Sequence, residues 1–273
     1  MRKLLLVLLI CTSSIVSSQY NCEAFKMMGD ECKYEACKFI ESQKNYFQLL
    51  KEYHDKYNRA LEICPDYHPA YKAKSTAYLK TGDFITWMKL MNKAVELSPL
   101  DNLDYRGWCR FQFFRDYKGA IADIERLQDV VGVNAGFGQN GMYHLNVTRA
   151  LCYKMIGERT KAIQIMEDHL QNDFMTGLYI QYHLGILYYE EGHFDKALNA
   201  FKLQTQEYAF AENEYYKSLV YKALSQPANQ KEAIKKSLET YKEGVFMSDV
   251  YSHQVDKIYL IEVEEEYARV FQE

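Results

Sequence analysis

The chain has 273 residues, 48% hydrophobic and 26% charged, with four Pro, thirteen Gly and no low-complexity run, which excludes disordered and collagen-like classes. That length allows one or two domains, or a single repeat array. A formal net charge of −4, from 33 basic and 37 acidic residues, argues against nucleic acid as a partner.

The first predicted element is a secretory signal peptide, residues 1–18. Arg2-Lys3 precedes the apolar run Leu4 to Cys11, and small residues end at Ser17-Ser18, so cleavage is expected before Gln19. A lipid anchor fits neither Cys11, behind Leu9-Ile10, nor Cys22, behind Tyr20-Asn21. No later stretch reaches about 18 apolar residues, so the mature chain is expected to be soluble, in a periplasm or outside the cell. Ser-Ser-Gln at the cut suits a Gram-negative envelope, with a eukaryotic secretory route left open.

Export permits disulfides. Residues 19–33 form a Cys-containing cap, and Cys22, Cys32, Cys37 and Cys64 are the disulfide candidates, while Cys109 and Cys152 sit in apolar helical pattern as packed thiols. Without any Cys-x-x-Cys, or a His pair four apart on one helix, no metal site is expected, and no cofactor either.

From about residue 34 to 244 the chain repeats with a period near 34. Ala60-Leu61-Glu62-Ile63-Cys64-Pro65 returns as Ala94-Val95-Glu96-Leu97-Ser98-Pro99. Small residues recur at Ser75, Cys109, Ala150, Gly185 and Ser218, with Tyr78, Tyr153, Tyr188 and Tyr221 three places beyond four of them. Gly82-Asp83-Phe84, Arg115-Asp116-Tyr117, Gly157-Glu158-Arg159 and Gly192-His193-Phe194 mark the turns. A small residue on each of two antiparallel helices lets their backbones approach, and an aromatic ring fills the space beside them. If each period is such a hairpin, the end of its second helix returns beside the start of its first, which favours Cys64 pairing with Cys32 or Cys37.

Tyr182-His183-Leu184-Gly185-Ile186-Leu187-Tyr188, followed by Gly192, Ala197 and Phe201, carries the Leu-Gly-x-x-Tyr, turn Gly, Ala and Phe of a known motif. At these residues the chain resembles the tetratricopeptide repeat (TPR) family. Trp87 stands where Ala is usual and Asp116 where Gly is. The resemblance implies an all-α, right-handed superhelical solenoid of antiparallel helix pairs with helical caps at both ends. Units are expected near 34–67, 68–101, 102–135, 143–177, 178–210 and 211–244, with a Gly-rich loop near 132–142. The segment 245–273 is expected to supply the C-terminal capping helix, Val255, Ile258, Tyr259, Ile261 and Val263 covering the last apolar face and Glu262, Glu264, Glu265 and Glu266 staying wet.

Gly136-Phe137-Gly138-Gln139-Asn140-Gly141 spells Gly-x-Gly-x-x-Gly, but it follows a helical pattern and lacks an acidic residue about 20 positions on, so a flexible inter-unit loop is the reading. Asn146-Val147-Thr148 matches a glycosylation acceptor, yet it lies within a helical stretch and reads as chance. No nucleophile elbow, kinase motif set or paired-carboxylate signature appears, so no enzyme is expected.

The resemblance implies a scaffold that binds a peptide or partner protein along the first helices of its units. Counted from the small residues, Lys72, Thr76, Arg106 and Arg110 point to that inner wall, together with Val147, Leu151, Tyr182, Ile186, Tyr215 and Leu219. Arg106 and Arg110 are one helical turn apart, so both guanidinium groups can converge on one carboxylate. This is similar to the carboxylate-clamp form of the family, with Thr76 in an Asn slot; a solvated or internally paired basic face is the other reading. Tyr179, Tyr182, Tyr189 and Tyr215 form an aromatic end that suits a peptide or, alternatively, a glycan, and packing between units would use the same residues.

Overall fold

The computed structural model describes residues 21–172 and 174–272; the expected signal peptide and Gln19 lie outside them. Among the described residues there is no β-strand, and the extended pairing present is two isolated antiparallel bridges, Phe137 with His144 and Tyr143 with Gly177. The chain divides into two compact units at Ser98 and Pro99.

In the first unit, α1 (Cys22–Met27) and α2 (Glu31–Ser42) are followed by α3 (Lys51–Ile63), α4 (His68–Thr81) and α5 (Phe84–Leu97). Asp30 and Asp83 start α2 and α5, each carboxylate accepting from the backbone N–H three residues on, at 3.1 and 3.0 Å. Gly82, at φ +80°, makes the left-handed turn between α4 and α5. Cys22 bonds Cys37, fixing α1 to α2, and Cys32 bonds Cys64, fixing α2 to the end of α3, with Cα separations of 5.5 and 5.3 Å. Ala36, Ile40, Tyr57, Ala60 and Tyr67 form the core around these bridges.

The second unit stacks four helix pairs. They are α6 (Leu103–Cys109) with α7 (Tyr117–Val131), α8 (Leu145–Met155) with α9 (Arg159–Gln171), α10 (Ile180–Glu190) with α11 (Phe194–Glu207), and α12 (Ala211–Ala223) with α13 (Pro227–Lys242). Cys109, Ala150 and Ser218 are wholly buried on the first helices, Ala120, Ala162 and Ala197 on the second. Gly185 shows why size matters: a Cβ there would lie 2.6 Å from Cε1 of Phe201, so α10 and α11 approach only without it. Cys109 and Cys152 are buried and take no part in the two disulfides.

Several local expectations need correction. A π-turn, Arg110–Phe114, extends α6, and the left-handed residue that ends it is Arg115 at φ +54°; Asp116 has no need to be Gly, because it caps α7 by accepting from the Gly119 N–H at 3.0 Å. The Gly-rich loop is tied by backbone hydrogen bonds and close packing. Gly138 donates to the Tyr143 carbonyl at 3.0 Å, Leu145 donates to the Gly136 carbonyl at 2.8 Å, and Gly138 lies so close to Trp108 that a Cβ would come within 2.4 Å of its ring. Asn146 of the sequon, by contrast, is buried within a helix, in keeping with a chance match, its amide nitrogen donating to the Val133 carbonyl at 3.0 Å.

At the C-terminus the helix α14 spans only Leu260–Gln272. Val255, Ile258 and Val263 are buried, but Tyr259 and Ile261 are exposed, and Glu266 is turned inward between Lys222 and Arg269 instead of facing water. Its burial is tolerable because both cations neutralise it. Residues 245–259 form a loop.

Candidate functional site

The loop is held by side chains from the first helix of every pair in the second unit. At its base Glu212, on α12 and fully buried, accepts from the Met247 N–H through both carboxylate oxygens at 3.1 Å and pairs with Lys257. One carboxylate thus staples two positions ten residues apart, which defines a closed Ω-loop. Burial pushes the Glu212 carboxyl above its ordinary pKa, opposed by the Lys257 ammonium and the backbone N–H donors. Lys257 also lies over the rings of Tyr241 and Phe246, its Nζ 5.0 and 4.6 Å from their centroids.

At the apex, Gln112 in the π-turn donates to Ser252 Oγ at 2.5 Å, and Arg115 donates to the His253 carbonyl. Asp249 caps the apex from within, its Oδ1 accepting from the N–H groups of Tyr251 and Ser252 at 2.8 Å. Val250 and Tyr251 project into solvent, 88% and 74% exposed. Four other residues aligned with Arg115 in the repeat show what its conformation costs. Gly82, Gly157 and Gly192 take the left-handed turn freely, whereas Arg115 and Ser225 hold positive φ with a side chain, at roughly 1 kcal/mol. In return, a glycine could not reach His253.

Between base and apex, Asp256 enters the unit. Its Oδ1 is 2.6 Å from Lys154 Nζ on α8, its Oδ2 2.7 Å from His183 Nδ1 on α10, and its carbonyl accepts from Tyr182 OH at 2.6 Å. Burial acts to raise the Asp256 pKa, but the Lys154 charge and the His183 hydrogen bond outweigh it and hold the carboxyl at about 2. An ionised Asp256 can only accept, so Nδ1 of His183 carries the proton and Nε2, 3.1 Å from Tyr143 OH, accepts from that hydroxyl. Burial keeps His183 neutral by lowering its pKa. Val255 and Met247 join the apolar core on either side.

The residues singled out in sequence have other surroundings than an open wall. Arg106 and Arg110 do converge on one carboxylate, but it is Asp123 of α7, at 2.5 and 2.9 Å, and Arg110 also donates to the Gly119 carbonyl at 3.0 Å. The internally paired reading of these two residues has a simple cause: a buried carboxylate on the paired helix attracts both guanidinium groups. Lys72 and Thr76 belong to the first unit, where Thr76 is half-buried and donates to the Ala73 carbonyl at 2.7 Å. Val147, Leu151 and Ile186 are core residues.

Tyr179 and Tyr182 are buried, among Tyr143, Phe210 and Phe201, and so offer no aromatic face to a sugar or peptide. Tyr182 is covered by the very loop that its hydroxyl binds. Tyr189 and Tyr215 are half-buried and pack on Tyr216. Sequence reasoning passed over Gln112, Arg115, Lys154, His183 and Glu212. Their signal was a polar residue at an otherwise apolar first-helix position, which becomes meaningful only once its partner, more than 40 residues away in several cases, is known.

Among the described residues no group of three or more His, Cys, Asp or Glu side chains is placed to hold a metal ion, and no helix is long and apolar enough to cross a membrane. The chain matches no protein-family model and no curated protein. Solved structures do match. PilW, a widely conserved type IV pilus biogenesis factor, is 13% identical with a TM-score of 0.56, over 79% of this chain and 94% of its own. PilF of Pseudomonas aeruginosa is 12% identical with a TM-score of 0.59, over 89% of this chain and 99% of its own. YrrB, a TPR protein with an unusual peptide-binding site, is 16% identical with a TM-score of 0.52, over 68% of this chain and 93% of its own. At such identities the likeness fixes the fold, which is all-α and TPR-like.

Proposed function

We propose that this chain is an exported protein-interaction scaffold that binds a peptide or partner protein along the first helices of its second unit. One observation carries the reading: those helices already grip a looped segment of their own chain, residues 247–257, through main-chain hydrogen bonds, ion pairs and apolar packing. Such contacts are what a peptide-recognition surface requires, main-chain bonds for affinity and side-chain pockets for choice. Export agrees with the two disulfides of the first unit, which persist in oxidising compartments, and with the signal-like start of the sequence. YrrB gives a precedent for peptide binding on this fold, and PilW gives one for a role in type IV pilus biogenesis.

A photo-crosslinking amino acid at Tyr251 or Met155, in the native host, tests the reading. Discrete adducts with another polypeptide are expected from these positions and not from Lys202, exposed on α11. Adducts equally frequent at all three positions, or at none, would overturn it.

A further inference from the structure

We propose that the first-helix face of the second unit is a polypeptide-binding surface occupied in cis by residues 247–257, and that its partner is a segment carrying an apolar residue, an acid and a base in succession, turned at the acid as Val255-Asp256-Lys257 is, with Asp256 at φ +62°. The inference rests on the scaffold reading above and deepens it.

The loop specifies its own replacement. Lys154 and His183 take an acid, Glu212 takes a base one residue later, and the core beside them takes the apolar residue before. Reversing acid and base would set a carboxylate against buried Glu212 and an ammonium against Lys154, so charge order selects the partner. The loop is also built to leave as a unit. Its ends meet at Glu212, so release needs no movement of α13 or α14, and its apex is tied by Gln112 and by the conformationally costly Arg115. Val250 and Tyr251 stand exposed at that apex as the first contact for an arriving chain. Because the occupant is tethered, it competes at an effective concentration near the millimolar range, and a partner sees only the fraction of molecules whose loop is open.

The probe is a synthetic peptide of residues 245–259, labelled and titrated by fluorescence anisotropy against the full chain and against a variant with residues 247–257 replaced by Gly and Ser in equal number. The linker variant is expected to bind about 100-fold more tightly than the unaltered chain, and about 10-fold less tightly when the peptide carries D256N. Equal binding by both proteins would overturn occupation in cis while leaving the scaffold reading standing. A linker variant that keeps its helical circular dichroism and binds no peptide would overturn the scaffold reading itself. Should that variant fail to fold, Arg115→Gly in the intact chain replaces it, expected to bind the peptide about 10-fold more tightly than the unaltered chain with little change in Tm. Amide exchange of the unaltered chain decides independently: the Met247 N–H should exchange well before the amides of α8 and α10, and exchange only with global unfolding would overturn the proposal.

Discussion

Asp256 and His183 stand 73 residues apart in the chain and 2.7 Å apart in the fold, in ground so buried that neither side chain is more than 9% exposed. Lys154 completes the pair with the opposite charge. Replacing Asp256 with Asn keeps the shape but leaves the Lys154 ammonium with Glu190, 3.1 Å away, as its remaining counter-ion, at a cost of about 1–2 kcal/mol. Urea unfolding of Asp256→Asn should show that loss, and adding Lys154→Met should recover part of it. Because the Asp256 pKa is held below its ordinary value, the pair's contribution is in place above about pH 4 and fades as the pH falls towards 2.

Acid acts earlier through His144. It begins α8, its Nδ1 accepting from the Asn146 N–H at 3.1 Å, and its ring lies 4.5 Å from that of His169. Burial first, and the neighbouring His169 second, lower its pKa to about 4. The unfolded chain takes up a proton near pH 6.5 and the folded chain does not, so stability falls as the pH drops from 6.5 towards 4. Between pH 7 and 5 the loss should be on the order of 1 kcal/mol after solvent screening. His144→Asn, which keeps a capping acceptor, should flatten that slope in urea midpoints taken across the range.

Reduction should act on the first unit alone. The bridges close loops of 15 and 32 residues, each worth about 3–4 kcal/mol by chain entropy. Dithiothreitol is therefore expected to lower the unfolding temperature of residues 21–98 and leave amide protection in α8 and α10 unchanged. Cys32 is exposed, so the Cys32–Cys64 bridge should be reduced first, as alkylation and mass spectrometry would show.

Gly185→Ala should destabilise the second unit although Ala favours helix by about 1 kcal/mol. The new methyl would meet the Phe201 ring, and overpacking of this kind costs about 1–3 kcal/mol. Phe201→Leu in the same chain should restore part of the loss, a sign reversal that thermal unfolding can detect.

The fold was legible because its cause is periodic. Ser75, Cys109, Ala150, Gly185 and Ser218 recur in one phase, and each is buried where helices approach, so a pattern of residue sizes translates directly into packing. The site was less legible. Counting from those residues located the first-helix wall but gave no account of what covers it: Tyr182 was an inward-facing position, and its exposure was lost to a carbonyl 74 residues away. Arg106 and Arg110 similarly announced a carboxylate without saying whose.

By itself, then, the order of residues determined that hairpins form and stack, because helix periodicity, caps and small-residue seams act over short separations along the chain. Only the tertiary structure decided which buried charges meet and that residues 247–257 return to lie on the first helices. The loop's pairings join positions from 35 to 140 residues apart, where the sequence records two partners but not the encounter between them.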